Sequence, residues 1–274
     1  MSKPCYCFII FCLWVCFGVY AEDTYAEDTR LIITGSSTVA PLALEIGKRF
    51  ESLHPDIRVD VQTGGSSRGI ADARAGTADI GMASRALKDS ENDLFAHTIA
   101  RDGIGIIVHS TNKIDALSEQ QIKAIFTGKI DNWSAVSDAN KRITVVNKAE
   151  GRSTLELFLA HFGLKNSDIK AHVIIGDNQQ GIKTVSGNPY AIGYVSVGTA
   201  EFEIANGTPL KLLPMASIPA TVDNIRNGTF PLARPLNLVT REQPKGLIKQ
   251  FIDFAQSNAV NDLIEAQFFV PLAH

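Results

Sequence analysis

Hydroxyl-bearing residues and glycines gather at four places in this 274-residue chain, each where an apolar, strand-like run gives way to a helix-like pattern. The runs are LIITGSSTVAPL from Leu31, VDVQTGGSSRGI from Val59, ADIGMASRAL from Ala78 and ITVVNKAEGRSTLELF from Ile143. A helix start leaves backbone N–H groups without partners and carries about half a positive charge. Placed beside hydroxyls and cations, such an end suits an oxyanion. One Gly/Ser-rich junction would say little, but their repetition points to a site built from backbone N–H groups and hydroxyls.

At the first junction Gly35 permits a tight turn, Ser36, Ser37 and Thr38 offer hydroxyls, and Pro41 sits near the first helical position. Taken alone, this reads best as a serine N-cap. The second supplies Ser66, Ser67 and Arg68, whose guanidinium could grip an oxyanion with two N–H groups. Gly65 to Gly69 also matches G-x-S-x-G, which raises a rival: a serine hydrolase using Ser67 with His97, His109, His161 or His172. No HGGG-type stretch accompanies it, and the serine lies too near the start of the chain for that fold. Ser84 closes the third junction, and the fourth carries Lys148, Glu150, Arg152, Ser153 and Thr154. There Ser153 and Glu156 have capping-box spacing, which predicts a helix start near Thr154.

These junctions need strands and helices in alternation, and the chain supplies them, so an α/β fold with largely parallel sheets is expected. Leu42, Ile46, Phe50 and Leu53 form one helical stripe, ended by His54-Pro55. Strands are expected at Arg58–Gln62, Ala78–Ala83, Ile104–Val108, Ile143–Val146, Val173–Ile175, Ile192–Val197 and Leu236–Val239. Helices are expected at Ile70–Ala75, near Ser90–Ala96, at Ser118–Phe126 and at Thr154–Phe162, with a last amphipathic one carrying Leu247, Phe251 and Ile252. The stretch from Pro209 to Pro235 shows little periodicity. Segments Gly103–Ser110 and Phe230–Thr240 would be the only crossings between two lobes, a two-strand hinge. The division is residues 30–105 and 233–274 for the first lobe and 106–232 for the second.

Residues 1–21 read as a cleavable secretory signal: Lys3, then an apolar run from Phe8 to Val19, too short to span a bilayer, then small residues ending at Ala21. All four cysteines fall within it, which excludes disulfides and thiolate metal sites from the mature chain. Leu13, Trp14 and Val15 before Cys16 do not suit lipoprotein processing. Residues 22–29 form a short acidic leader, and YAEDT occurs twice in a row, at Tyr20–Thr24 and Tyr25–Thr29. Removal of Lys3 makes the formal charge of −3 one unit more negative, and no basic stripe is visible, so nucleic acid and anionic membranes are not expected partners. Trp133, the sole tryptophan after the signal, would report closure if its loop lies near the cleft.

The order GSSTVAPL, TGGSSRGI, TADIGMASRALK, VVNKAEGRSTLELF and NPYAIGYVSVGTAE resembles the periplasmic phosphate-binding proteins of ABC phosphate importers, above all their shorter members, from Leu31 to about Pro271. The resemblance implies a two-lobed type II periplasmic binding protein: a monomer without cofactor or metal that closes on inorganic phosphate and hands it to permease subunits in the inner membrane. It further implies donation by Thr38 and the backbone N–H of Val39, a hydroxyl from Ser66, and ligand contacts around Lys148, Arg152, Ser153 and Thr154. Longer members carry Asp where Ser84 stands, Arg where Lys148 stands, and Ser-Gly-Thr where Arg152, Ser153 and Thr154 stand. Without the Asp, exclusion of sulfate is less secure, and Glu150 and Asp79 are candidate acceptors of the ligand's proton. A sensor or scavenger with no permease, and a receptor for sulfate or another tetrahedral oxyanion, fit the same sequence.

Overall fold

The computed structural model describes residues 29–273; the expected signal segment, its cysteines and nearly all of the acidic leader lie outside them. The chain opens with β1 (Arg30–Gly35), α1 (Ala40–Leu53), β2 (Arg58–Thr63), α2 (Ser66–Ala75) and β3 (Ile80–Ala83). Next come the long β4 (Phe95–His109), α3 (Glu119–Phe126), β5 (Thr144–Lys148), α4 (Ser153–Phe162), β6 (Val173–Ile175), α5 (Asn178–Ser186) and β7 (Ala191–Ser196). The remainder is α6 (Val197–Ala205), β8 (Leu210–Leu213), α7 (Val222–Arg226), β9 (Ala233–Thr240), α8 (Gly246–Ala255) and α9 (Asn261–Ala266). Strands follow the order β2-β1-β3-β9-β4-β7-β5-β6, with β8 also on β4. Pairing is parallel for β1 with β2 and β3, and for β5 with β6 and β7; it is antiparallel wherever β4 or β9 takes part.

The two largest hydrophobic cores flank this path. Leu31, Ile33, Leu42, Ile46 and Phe50 bury against Phe251 and Ile252 of α8, with the Phe50 and Phe251 rings edge to face at 5.3 Å. The other core holds Phe126, Trp133, Phe158 and Tyr194, with Phe158 stacked on Tyr194 at 4.0 Å. Trp133 is fully buried there and donates Nε1–H to the Tyr190 carbonyl, so it sits in a core and not on the cleft.

Strand β4 belongs to both halves. Up to Gly103 it pairs with β9, from Phe95↔Thr240 to Gly103↔Ala233; from Ile104 it pairs with β7 and then β8. The crossing expected from the two extended segments is therefore β4 and β9 lying antiparallel. Instead of a helix near Ser90–Ala96 there is a 3-10 turn, Asp89–Glu91, after which β4 begins; pairing with β9 satisfies that backbone more fully than a short helix could. The stretch that lacks periodicity holds β8 and α7, of 4 and 5 residues, too short to display a repeat. Helix α3 starts as expected, with Ser118 capping it through a capping box with Gln121.

Candidate functional site

The helices that start at the junctions are not closed off by their own side chains. Residues at the N-caps of α1, α2 and α4 are Val39, Gly65 and Arg152, and no side chain among them accepts a bond from its helix. By contrast Ser118, Asp177, Ser196 and Thr221 cap α3, α5, α6 and α7. Two expectations are thus corrected. The serine expected to cap α1 acts one turn early, Ser36 accepting from N–H groups of the turn before α1 while Val39 is the N-cap itself. No Ser153–Glu156 capping box forms, because Ser153 is already inside α4 and Glu156 reaches elsewhere. Free N–H groups at a helix start remain available to an anion.

Close packing of α2 on the sheet brings these ends together. A Cβ on Gly35, whose φ is +133°, would lie 2.4 Å from the Met82 carbonyl oxygen and 2.9 Å from the Gly69 Cα. Only glycine allows that approach. The Gly35 carbonyl then accepts from the N–H groups of Gly64 and Gly65 at 2.9 and 2.8 Å, fixing the turn before α2.

At the centre stands Arg234 on β9, 3 % exposed, which sequence reasoning missed. Its Nη2 and Nε donate to Asp102 Oδ2 at 2.8 and 3.2 Å, and Nη1 lies 2.9 Å from Thr154 Oγ1 and 3.3 Å from Ser84 Oγ. Its Nη2 is also 3.4 Å from Thr38 Oγ1. Hydroxyls from three separate junctions, drawn from both halves, so converge on one guanidinium. Asp102 on β4 is the register partner of Arg234, and its other oxygen accepts from the Gly198 N–H at 3.1 Å. The sole sequence signal was a charge at each hinge segment: Asp102 immediately before the first, and Arg234 within the second, just before Pro235.

Around this guanidinium stand Ser66, Ser36, Lys148 and Asn178. Ser66, 1 % exposed, accepts from the Ser84 N–H at 3.2 Å, while Ser36, not counted among the ligand contacts, donates to Ser84 Oγ at 3.0 Å. Ser36 Oγ also accepts from the N–H groups of Thr38 and Val39 at 3.2 and 3.4 Å. Lys148 is buried at the end of β5 and donates Nζ–H to Asn178 Oδ1 at 2.7 Å. Asn178, also missed, passes its amide to Thr38 Oγ1 at 3.1 Å and thereby links the halves. Burial, with Arg234 and Arg152 nearby, lowers the Lys148 ammonium to about 7, although Asp177 pulls the other way. Arg152 Nε and Ser153 Oγ are buried with no partner in the protein. Unpaired buried donors of this kind are costly unless something else meets them.

Three of the named residues stand outside the cluster or at its edge. Arg68 lies on an exposed face and pairs with Asp72, so its guanidinium does not join the others. Ser37 is half-buried and lines a neighbouring groove of about 370 Å³ with Asp177, Asn178 and Thr199. Ser67 donates to Glu156 Oε1 at 3.1 Å, and the histidines of the hydrolase reading are engaged with Thr240, Thr111, Glu119 and the Val145 N–H. That removes the nucleophile–base contact a hydrolase would need. The candidate proton acceptors are spoken for as well: Asp79 accepts from the Ile32 N–H, and Glu150, exposed, from Asn166.

Two lobes joined by antiparallel hinge strands, with buried hydroxyls, cations and open helix ends between them, define a type II periplasmic binding protein. The chain belongs to the PBP superfamily domain family, whose model matches residues 22–259. It is similar to a Clostridium perfringens phosphate ABC transporter substrate-binding protein solved with bound phosphate: 31% identity, TM-score 0.80, over 89% of this chain and 100% of that one. An ABC-type phosphate transport receptor from Vibrio cholerae shows 29% identity and a TM-score of 0.73, over 88% of this chain and all of its own 100%. Phosphate-binding protein PstS of Bacillus subtilis (strain 168) is 27% identical over 258 residues, 92% of this chain and 84% of the relative. Among the described residues no helix is long and apolar enough to cross a membrane.

Proposed function

We propose that this protein is a periplasmic receptor, not an enzyme, that binds inorganic phosphate in the cleft and delivers it to an ABC permease. The observation that carries the reading is the convergence of Thr38, Ser84 and Thr154 on the Arg234 guanidinium, with Lys148 and Arg152 beside them. In this reading the lobes are residues 30–105 with 233–274, and 106–232, which meet where β4 exchanges β9 for β7. Asp102 already neutralises Arg234, so Lys148 and Arg152 supply the charge that answers a dianion. Arg152, Ser153 and Thr154 would present N–H groups of α4, the Val39 N–H would turn from Ser36 Oγ to the ligand, and Ser66 would hold Ser84 in place. Relatives named for phosphate binding and transport, one solved with phosphate, support the ligand.

Ser84, where longer family members carry a carboxylate, offers only a hydroxyl to the ligand's proton. A fully ionised anion meets no fixed negative charge from it. Isothermal titration with phosphate and sulfate, on protein refolded free of carried-over ligand, tests ligand and selectivity together. Single-site phosphate binding with measurable competition by sulfate is expected. Absence of phosphate binding would refute the reading.

A further inference from the structure

Beside the cluster, the two lobes are tied by a carboxylate that neither the junction motifs nor the hinge account for. Glu156 sits one turn into α4, two residues beyond Thr154, with its side chain 24% exposed. Its Oε1 accepts from Ser67 Oγ at 3.1 Å, and its Oε2 lies 3.0 Å from Arg85 Nε and 2.7 Å from Lys88 Nζ. Every one of these partners comes from the first lobe, and Glu156 from the second. Arg85 is not free to wander, since its two Nη groups form a fork on Glu91 at 2.7 and 2.9 Å, and its side chain is 4% exposed. Alongside, the Ser67 N–H donates to the Gly151 carbonyl at 3.2 Å.

Position in the chain makes this more than a surface ion pair, which alone is worth little. Arg85 follows Ser84 directly, and Glu156 follows Ser153 and Thr154 within one turn. Parting Glu156 from Arg85 and Lys88 therefore carries the hydroxyls of the two lobes away from one another. Resting on the phosphate reading, we infer that Glu156 is a positioning residue: it holds the lobes shut and sets how fast the ligand leaves. A contact made only in the closed form acts on release far more than on encounter. It also raises apparent affinity by raising the fraction of closed protein.

The test uses 32P-labelled inorganic phosphate bound to the full-length mature chain, chased with excess unlabelled phosphate, for wild type, Glu156→Gln, Lys88→Met and the double variant. Glu156→Gln keeps an acceptor for Ser67 and removes the charge. Release is expected to speed up about tenfold, with association changed by less than about twofold and the melting temperature of the ligand-free protein unchanged. Wild-type release should quicken with added KCl, that of Glu156→Gln should not, and the two substitutions should be less than additive. Equal release rates with equal salt dependence would overturn the latch alone. So would faster release matched by a lower melting temperature, which marks a merely structural role. A wild type that holds no labelled phosphate would overturn the reading of the site, and the latch with it.

Discussion

Arg234 and Asp102 are register partners on the two antiparallel strands of the hinge, and their side chains meet in an ion pair of 2.8 Å that is almost wholly buried. The guanidinium is thus held at the crossing point of the lobes, where Thr38, Ser84 and Thr154 also arrive. Because it is fixed on the strands that carry both halves, it can touch hydroxyls of each without depending on either. Asp102 in turn is fixed by the Gly198 N–H.

Asp102→Asn leaves Arg234 buried without its carboxylate, and loss of one partner of a buried pair costs about 3–5 kcal/mol. Urea denaturation is expected to show that loss in the ligand-free protein. In saturating phosphate the deficit should shrink, because the anion offers the guanidinium a new partner. An equal deficit with and without phosphate would place Arg234 away from the ligand.

Lys148 gives a pH dependence whose sign follows from its lowered ammonium, about 7 against an ordinary 10.5. Between those values the unfolded chain holds a proton that the folded protein has shed, so ligand-free stability rises with pH across this window, and the contribution is absent below it. Binding a dianion favours the charged form. Phosphate binding at pH 8 should therefore take up a proton, read as a dependence of titration heat on the buffer's ionisation heat, and affinity should fall as pH rises from about 7 to 9. Lys148→Arg, charged throughout, should lose both effects.

Arg152 has a buried Nε with no partner in the protein. Arg152→Ala is expected to weaken phosphate binding by about 1.5–3 kcal/mol, the range for a hydrogen bond to a charged group. Calorimetry reads it directly. Unchanged affinity would show that this guanidinium faces away from the ligand.

Gly65 meets the other lobe with no room to spare: a Cβ there would lie 2.4 Å from Arg152 Nη1 and 2.7 Å from the Gly151 carbonyl oxygen, at a φ of +95°. Gly65→Ala should both strain the turn, at about 1–3 kcal/mol, and prop the lobes apart. Small-angle scattering should show a larger radius of gyration in phosphate than for wild type, with affinity reduced at least about tenfold, the factor that 1.4 kcal/mol represents. Wild-type compaction in phosphate would show that the seam tolerates the methyl group.

Much of this protein is local enough to be read from its residues. The stripe of Leu42, Ile46 and Phe50, the capping box of Ser118 and Gln121, and the Gly/Ser turns at Gly35 and Gly64-Gly65 depend on neighbours within a turn or two, so pattern alone places α1, α3 and the junctions. Order and spacing of those junctions also sufficed for the family. Which charges face the cleft depended on tertiary structure. Arg68 and Arg152 look alike in sequence, yet one falls on the outer face of α2 beside Asp72 and the other on the seam against Gly65. Arg234 and Asp102 are separated by 132 positions and become partners only when β9 returns along β4. A side chain's electrostatic role is set by what surrounds it in space, and for residues so distant in the chain only the completed fold supplies those surroundings.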